Sequence, residues 1–205
     1  IELSQQEFLI KALLTENKAF EEVSLINLSG IETAKEARFK ERIDLLNVSQ
    51  LEKFKRVING HNFIGSVYYT LSGPMITLST TVRNRNHDII QIVSAEVNLS
   101  QISRLIEVAR LGTAGYAVLI DKDGSVVAHG SNANVATGTD LARWSRIDTV
   151  LAGKALDGLG ERDRYRSFFG SIDVIGAGKK IPGVGWGVLA EWPVEDADAL
   201  IQDIR

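Results

Sequence analysis

The strongest constraint on this chain is that it repeats itself. Glu22 to Ala34 (EVSLINLSGIETA) reads as strand, hairpin turn and strand, and the pattern returns at Tyr116 to Ala128 (YAVLIDKDGSVVA) with an offset of 94 residues between the turn glycines Gly30 and Gly124. A helix tail, Val57 to Gly60 (VING), recurs as Val150 to Gly153 (VLAG) at an offset of 93. A strand running into a helix closes each copy. There Val93, Ala95, Glu96, Leu99, Leu105 and Ile106 fall on Val188, Ala190, Glu191, Val194, Leu200 and Ile201, at an offset of 95. Three matches in the same order and at nearly one offset imply a duplicated α+β unit. In such a pair one copy can keep a pocket while the other becomes a connector.

Composition narrows the classes further. A chain of 205 residues, 44% hydrophobic, can bury one large core or two small ones, and the repeat selects two. The formal net charge of −3 and the lack of Lys/Arg runs remove the electrostatic footprint that nucleic acid demands. The absence of cysteine excludes thiolate metal sites and thiol catalysis and leaves the compartment open. No apolar stretch approaches the roughly 20 residues needed to span a bilayer, and nothing resembles a signal peptide. Because the chain begins at Ile1, the expectation is a piece of a longer protein, trimmed of membrane spans.

Residues 1–20 carry Phe8, Leu9, Ala12, Leu13 and Leu14 at helical spacing, an amphipathic helix, with Ser4 and Glu7 as a candidate capping box. Ser49 and Glu52 form a second S-x-x-E box opening a short helix, Gln50 to Asn59, stopped by Gly60. Phe63 to Thr70, Met75 to Val82 and Ile89 to Val97 then read as an antiparallel meander split by Ser72-Gly73-Pro74 and by Asn84 to Asp88. A linking helix, Ser100 to Arg110, presents Ile102, Leu105, Ile106 and Ala109 as an inward stripe. The second unit repeats the plan with a loop from Ser131 to Asp140, a helix from Trp144 to Leu156, strands to Trp192, and a closing helix with Val194, Ala197, Leu200, Ile201 and Ile204 on one face. The expected organisation is a long N-terminal helix over 1–20, one module over 21–111 and a second over 112–205. Helices running off both ends are what a loop between two membrane spans would show.

Enzyme signatures are missing. His61, His87 and His129 are scattered without an i,i+4 pair, so surface or turn roles fit them better than metal binding. Ser66, Ser72 and Ser79 lack a G-x-S-x-G elbow, and Gly124, Gly170 and Gly185 lack phosphate-cradle spacing. Asp121 and Asp123 lack the further oxygens of a calcium loop and read as a turn. No catalytic residue, metal or cofactor is expected.

The strands of the first copy carry more. Ser66, Tyr68 and Thr70 share one strand face, and Ser94 and Glu96 follow Ile90 and Ile92 on one face of another. An inward Glu96 needs donors or a cation, from Arg38, Arg42, Lys55 or a ligand's ammonium group. A polar pocket and simple packing with a surface Glu96 both fit this pattern. The matching strand of the second copy, Trp186, Val188, Ala190 and Trp192 with Glu191, is bulkier and reads as filled. The first copy is therefore expected to bind and the second to transmit, with Tyr116, Asp121, Tyr165 and Asp173 as candidates for a second site.

GYAVLIDKDGSVVAHG (Gly115 to Gly130), the G-x-D-L element at Gly138 to Leu141 and GWGVLAEWPVEDA (Gly185 to Ala197) resemble the membrane-proximal half of double Cache domains. FIGSVYYTLSGPMITLSTTV (Phe63 to Val82), IVSAEVNLSQISRLI (Ile92 to Ile106) and Lys11 to Ala34 resemble the membrane-distal half. The resemblance implies an α+β fold: two PAS-like modules, each a central antiparallel sheet flanked by helices, stacked along one long N-terminal helix. It also implies a position outside the cytoplasmic membrane of a prokaryotic receptor, with a small ligand in the distal module. Amino-acid-binding members hold the ligand's two ends with an Arg-x-Trp-aromatic helix motif and an Asp on the last distal strand. Here the helix reads Glu52-Lys53-Phe54-Lys55 and the acid is Glu96, while Lys55 and Arg56 would favour an organic acid. The expected ligand-binding set is Arg42, Phe54, Lys55, Ser66, Tyr68, Thr70, Ser94 and Glu96, for a small carboxylate or amine. The resemblance implies a membrane-anchored parent, homodimeric when complete, with a histidine kinase as the leading output; chemoreceptor, diguanylate cyclase and a cytoplasmic tandem PAS-like interaction module are the alternatives.

Overall fold

The computed structural model describes residues 3–39, 44–111, 113–130, 135–154, 156–157, 164–167, 169–170 and 172–203. The chain divides into two compact units, Ile1–Leu99 and Ser100–Arg205. The first contains α1 (Leu3–Glu16), β1 (Phe20–Ile26), β2 (Glu32–Ala37), α2 (Glu52–Val57), β3 (Phe63–Ile64), β4 (Tyr68–Thr70), β5 (Gly73–Arg83) and β6 (Ile89–Asn98). The second contains α3 (Ser100–Val108), β7 (Arg110–Leu111), β8 (Gly115–Ile120), β9 (Val126–His129), α4 (Ser145–Leu151), β10 (Leu156–Asp157), β11 (Arg164–Arg166), β12 (Asp173–Lys180), β13 (Gly187–Pro193) and α5 (Val194–Asp203).

Both sheets are antiparallel and share one topology. The first runs β2-β1-β6-β5-β3 with β4 also on β5; the second contains the path β10-β12-β13-β8, with β11 also on β12 and β9 also on β8. The hairpins match in detail. The Asn27 side-chain oxygen accepts from the amides of Ser29 and Ile31, and that of Asp121 accepts from Asp123 and Ser125. These are Asx turns, which hand the chain to a glycine of positive φ, +81° at Gly30 and +90° at Gly124. The following segment then crosses so closely that a Cβ on Gly30 would lie 2.5 Å from Ser49 Cα, and one on Gly124 2.9 Å from Ala142 Cα. Glycine is required twice over at both positions, by backbone conformation and by the crossing chain.

Alternation along the strands gives each sheet two faces. In the first unit α1 buries Ile10 and Leu14 and packs on β1 and β2. On the other face Phe54 and Val57 of α2 join Ile26, Val48 and Ile92 in the core. The second core gathers Val118, Ile120, Val126, Leu141, Ile147 and Leu189.

Several expectations are corrected. The first helix ends at Glu16, and Phe8, Leu9 and Leu13, expected on its packed stripe, are exposed while Ile10 and Leu14 are covered. Of the inward stripe assigned to the linking helix, Ile102, Leu105 and Ala109 are exposed and Ile106 is only partly covered, and no α3 residue is buried. Helical spacing shows which residues share a face, not whether anything packs on it. The Ser49/Glu52 box is not made, because the N-cap of α2 is Leu51, with no side-chain cap hydrogen bond. The strand expected over Phe63 to Thr70 breaks into β3 and β4, with the Gly65 amide bonded to the Thr77 carbonyl between them. α3 packs on β8 and β9, as α1 packs on β1 and β2. Part of the expected Ser131 to Asp140 loop, and Ile204, lie outside the described residues.

Gly30→Ala and Gly124→Ala are each expected to lower stability by about 3 kcal/mol or more, the sum of left-handed strain and steric conflict. Gly183→Ala is the control, since φ is +84° there but nothing lies within 4 Å of the added carbon. It is expected to lose only about 1 kcal/mol, and denaturant unfolding measures all three.

Candidate functional site

The face of the first sheet under α2 is polar. Pairing places Ser24 beside Ser94 and Ser94 beside Ser79, with Lys35 beside Ser24 at the far end of the row. All three serines are buried, and the Ser79 hydroxyl donates to that of Ser94 at 2.8 Å. One step along the strands Glu22, Glu96 and Thr77 form a second row. Tyr68 reaches this row from β4, where it pairs with Met75.

Glu96 is the focus. One carboxylate oxygen accepts hydrogen bonds from the Tyr68 hydroxyl and the Thr77 hydroxyl, both at 2.6 Å, and the other lies 3.6 Å from the Lys53 ammonium of α2. Hydrogen bonds to an ionised oxygen are the strong ones. Burial, then the hydrogen bond and charge of Glu96, push the Tyr68 phenol well above its ordinary pKa, against a smaller downward pull from Thr77. Tyr68 and Glu96 together form the wall between two cavities. One, of about 360 Å³, is lined by Leu51, Glu52, Lys53, Phe63 and Thr77; the other, of about 270 Å³, by Glu21, Glu22, Phe39, Thr70, Ser72 and Met75. A larger cavity of about 470 Å³ lies on the opposite face, among Leu13, Val23, Leu78, Val93 and Ala95. It holds no charged group, so the α2 face carries the chemistry.

The residues expected to bind divide accordingly. Tyr68 and Glu96 line both cavities, and Thr70 lines the smaller. Ser94 lies buried in the serine row. Phe54 is part of the core rather than a cavity wall. Lys55 and Ser66 are exposed and line neither cavity, because Phe54 and Val57 turn α2 so that Lys55 faces away and because Ser66 falls in the break between β3 and β4. Arg42 lies outside the described residues. Arg38, a suggested partner for Glu96, instead donates to the carbonyls of Leu14, Asn17 and Phe20, at and beyond the C-terminal end of α1, where a cation is favoured. The cation near Glu96 is Lys53. Sequence reasoning passed over it, although a residue four before the buried Val57 lies nearer the covered side of a helix than Lys55 does. Thr77 and Glu22 were also missed, since only strand register brings them to Glu96.

The second unit places a carboxylate at the matching position and seals it. Glu191 is fully buried and accepts from the hydroxyls of Tyr116 (2.5 Å), Tyr165 (2.6 Å) and Ser167 (2.6 Å). The Arg146 guanidinium carbon lies 3.9 Å from the centre of the Tyr165 ring, a cation–π contact. Tyr165 pairs with Val174 as Tyr68 pairs with Met75, so the edge tyrosines correspond. The serine row is replaced by Val118, Leu189 and Gly178. Of the other second-site candidates, Asp121 is occupied in its turn, and Asp173 is exposed and 3.6 Å from Arg166. His87 takes a turn conformation at φ 67°, and His129 faces the Gly130 carbonyl. Among the described residues no group of acidic and imidazole side chains is arranged to hold a metal ion, and no helix is long and apolar enough to cross a membrane.

Glu191→Ala removes the acceptor shared by three hydroxyls, of which those of Tyr116 and Ser167 keep each other at 2.9 Å, and is expected to lose about 2 kcal/mol or more. Glu96→Ala, at a half-open site, is expected to lose about 1 kcal/mol, as measured by denaturant midpoints. Burial and then the Glu191 charge also hold the phenols of Tyr116 and Tyr165 above their ordinary pKa. The contribution of these raised groups is intact below about pH 10 and lost as pH climbs through their folded values. In an alkaline titration their phenolate absorbance is expected to appear together with unfolding rather than before it.

No protein-family model matches the chain, and no curated protein matches it. Solved structures do. The extracellular domain of mmHK1S-Z2, described as a candidate histidine kinase, is similar over 95% of this chain and 83% of its own, with a TM-score of 0.72 at 13% identity. That of rpHK1S-Z16, described likewise, has a TM-score of 0.68 at 14% identity, covering 95% and 79%. The ligand-binding domain of the Campylobacter jejuni chemoreceptor Tlp3, in complex with L-valine, has a TM-score of 0.68 at 12% identity, covering 96% and 75%. The fold of this chain is that of these sensor domains: two PAS-like α+β modules in tandem.

Proposed function

We propose that this chain is the extracytoplasmic sensor region of a membrane-anchored signalling receptor of the double Cache type, and that its first module binds a small molecule bearing a primary amine. The observation that carries the ligand reading is Glu96. A half-buried carboxylate, already oriented by Tyr68 and Thr77, forms a wall common to two cavities, and an ammonium group is the natural partner for such an acceptor. Lys53, lining the cavity of about 360 Å³, supplies a cation for a carboxylate at the ligand's other end, so an amino acid or a related zwitterion fits both poles. The Tlp3 domain, of the same fold, is bound to L-valine, which supports this class.

Binding in the first module shifts the receptor only by its differential affinity for two arrangements. A coupling of about 1–3 kcal/mol suffices for a useful response. The sealed Glu191 cluster supports a relaying role for the second module, since its matching carboxylate is occupied by the module's own hydroxyls. The likeness to histidine kinase and chemoreceptor domains supports either output, with the complete receptor dimeric.

The test is calorimetry and thermal shift with L-amino acids, simple primary amines and simple carboxylates. At least one amine-bearing compound is expected to bind, with affinity falling roughly tenfold or more in Tyr68→Ala and in Glu96→Gln, equivalent to about 1.4 kcal/mol. Binding that survives both substitutions in full removes the site from the Tyr68–Glu96 wall.

A further inference from the structure

Strand β12 carries a glycine where β5 carries a threonine, and the seat of an aromatic ring turns on that difference. Gly176 stands opposite Glu191 as Thr77 stands opposite Glu96. The edge tyrosines match as well: Tyr165 pairs with Val174 and Tyr68 with Met75, in each case two residues before that position. Glycine inside a strand costs backbone entropy and offers no side chain to pack. Gly176 is not among the glycines of positive φ, so its backbone conformation does not call for it. The ring does. A Cβ on Gly176 would run into the Tyr165 hydroxyl and lie 2.5 Å from Cε1 and 2.8 Å from Cζ, so the phenol rests directly on the bare backbone of β12. From there its hydroxyl donates to Glu191 at 2.6 Å, and Arg146 of α4 lies over the ring, 3.9 Å from its centre.

In the first unit that seat is taken. Thr77 puts a branched side chain at the matching point of β5, and its hydroxyl donates to Glu96 at 2.6 Å. Tyr68 bonds the same oxygen but keeps 38% of its surface exposed, a wall of two cavities rather than a cover on the carboxylate. The helix cations correspond too, since Lys53 and Arg146 each lie four residues before a buried valine, Val57 and Val150. Lys53 is 3.6 Å from Glu96 itself, whereas Arg146 lies over Tyr165. Carboxylate, edge tyrosine and helix cation are thus common to both modules, and what lies beneath the ring differs. Building on the amine reading above, we propose that this position decides which module is receptive: Thr77 is a positioning residue whose bulk props Tyr68 off the sheet and keeps Glu96 open to a ligand, while Gly176 lets Tyr165 lie down and take the ligand's place on Glu191. A ligand that must first lift such a ring binds more weakly, by the fraction of time that the ring stands clear.

Nitration by tetranitromethane, read tyrosine by tyrosine in a mass spectrometer, tests the seat with no ligand present. In wild type the partly exposed Tyr68 and Tyr69 are expected to react, and Tyr116 and Tyr165 to be protected. Gly176→Thr is expected to make Tyr165 reactive while Tyr116 stays protected. Thr77→Gly is expected to slow Tyr68 relative to its neighbour Tyr69. Three results overturn the proposal: Tyr165 still protected in Gly176→Thr, Tyr116 reacting along with it, or Tyr68 reacting as fast or faster in Thr77→Gly. The last is what a merely structural threonine would give, because its loss would loosen the edge strand. In a second measurement L-valine, methylamine and putrescine are titrated into wild type, Thr77→Val and Thr77→Gly. Thr77→Val loses the hydroxyl that orients Glu96 and keeps the bulk, whereas Thr77→Gly loses both. Affinity for an amine probe is expected to fall roughly tenfold or more further in Thr77→Gly than in Thr77→Val. Equal affinities in the two variants, or a weaker Thr77→Val, overturn the proposal, since bulk then does nothing. Failure of wild type to bind any of the probes overturns the amine reading, while the nitration pattern still decides how the two tyrosines are seated.

Discussion

A carboxylate on the last strand of each sheet, Glu96 in β6 and Glu191 in β13, has to be supplied with donors once the strand is covered. In both units the supply comes from the edge, from Tyr68 on β4 and Tyr165 on β11, two strands of three residues that pair with the neighbouring long strand. The hydrogen bond from tyrosine to glutamate therefore ties a short edge strand to the centre of its sheet. What differs is what else arrives. Glu191 meets two further hydroxyls and vanishes from solvent, whereas Glu96 meets one more hydroxyl and a lysine at 3.6 Å, leaving open space on either side.

The same contrast runs across the faces. Where the second sheet packs Val118, Leu189 and Gly178 against its helix side, the first sets Ser24, Ser94 and Ser79. Serines hydrogen-bonded to one another, such as Ser79 to Ser94, satisfy their hydroxyls without filling volume. Lys35, Glu32 and Glu22 extend this polar lining to the edge of the sheet. Two modules of one topology thus stand at opposite ends of a scale from packed core to polar receptacle, and the chemistry of four or five inward positions sets the difference.

The polar lining is also tied to the architecture around it. The segment before α2 is held by the Glu32 carboxylate on one side and by Val48 in the core on the other, and α2 brings Lys53 to Glu96. Glu96 thus touches α2 through Lys53, and Glu22 is joined to the segment before it through Lys35 and Glu32, by contacts of 2.9 to 3.6 Å.

Local sequence determined the repeat, the Asx turns and the places where only glycine serves, because turn geometry is set by residues within a few positions of one another. It also singled out Tyr68 and Glu96, whose residue types stand out in otherwise apolar strands. Tertiary structure decided the rest. Lys53 rather than Lys55 faces Glu96, Thr77 and Glu22 join it, Ser66 is exposed, and of the apolar positions expected to pack on α1 and α3 only Leu14 is buried. Periodicity specifies which side chains of one element share a face, but which face is covered, and which residue of a strand tens of positions away lies opposite, depends on pairing register and helix rotation, and these exist only once the elements have assembled.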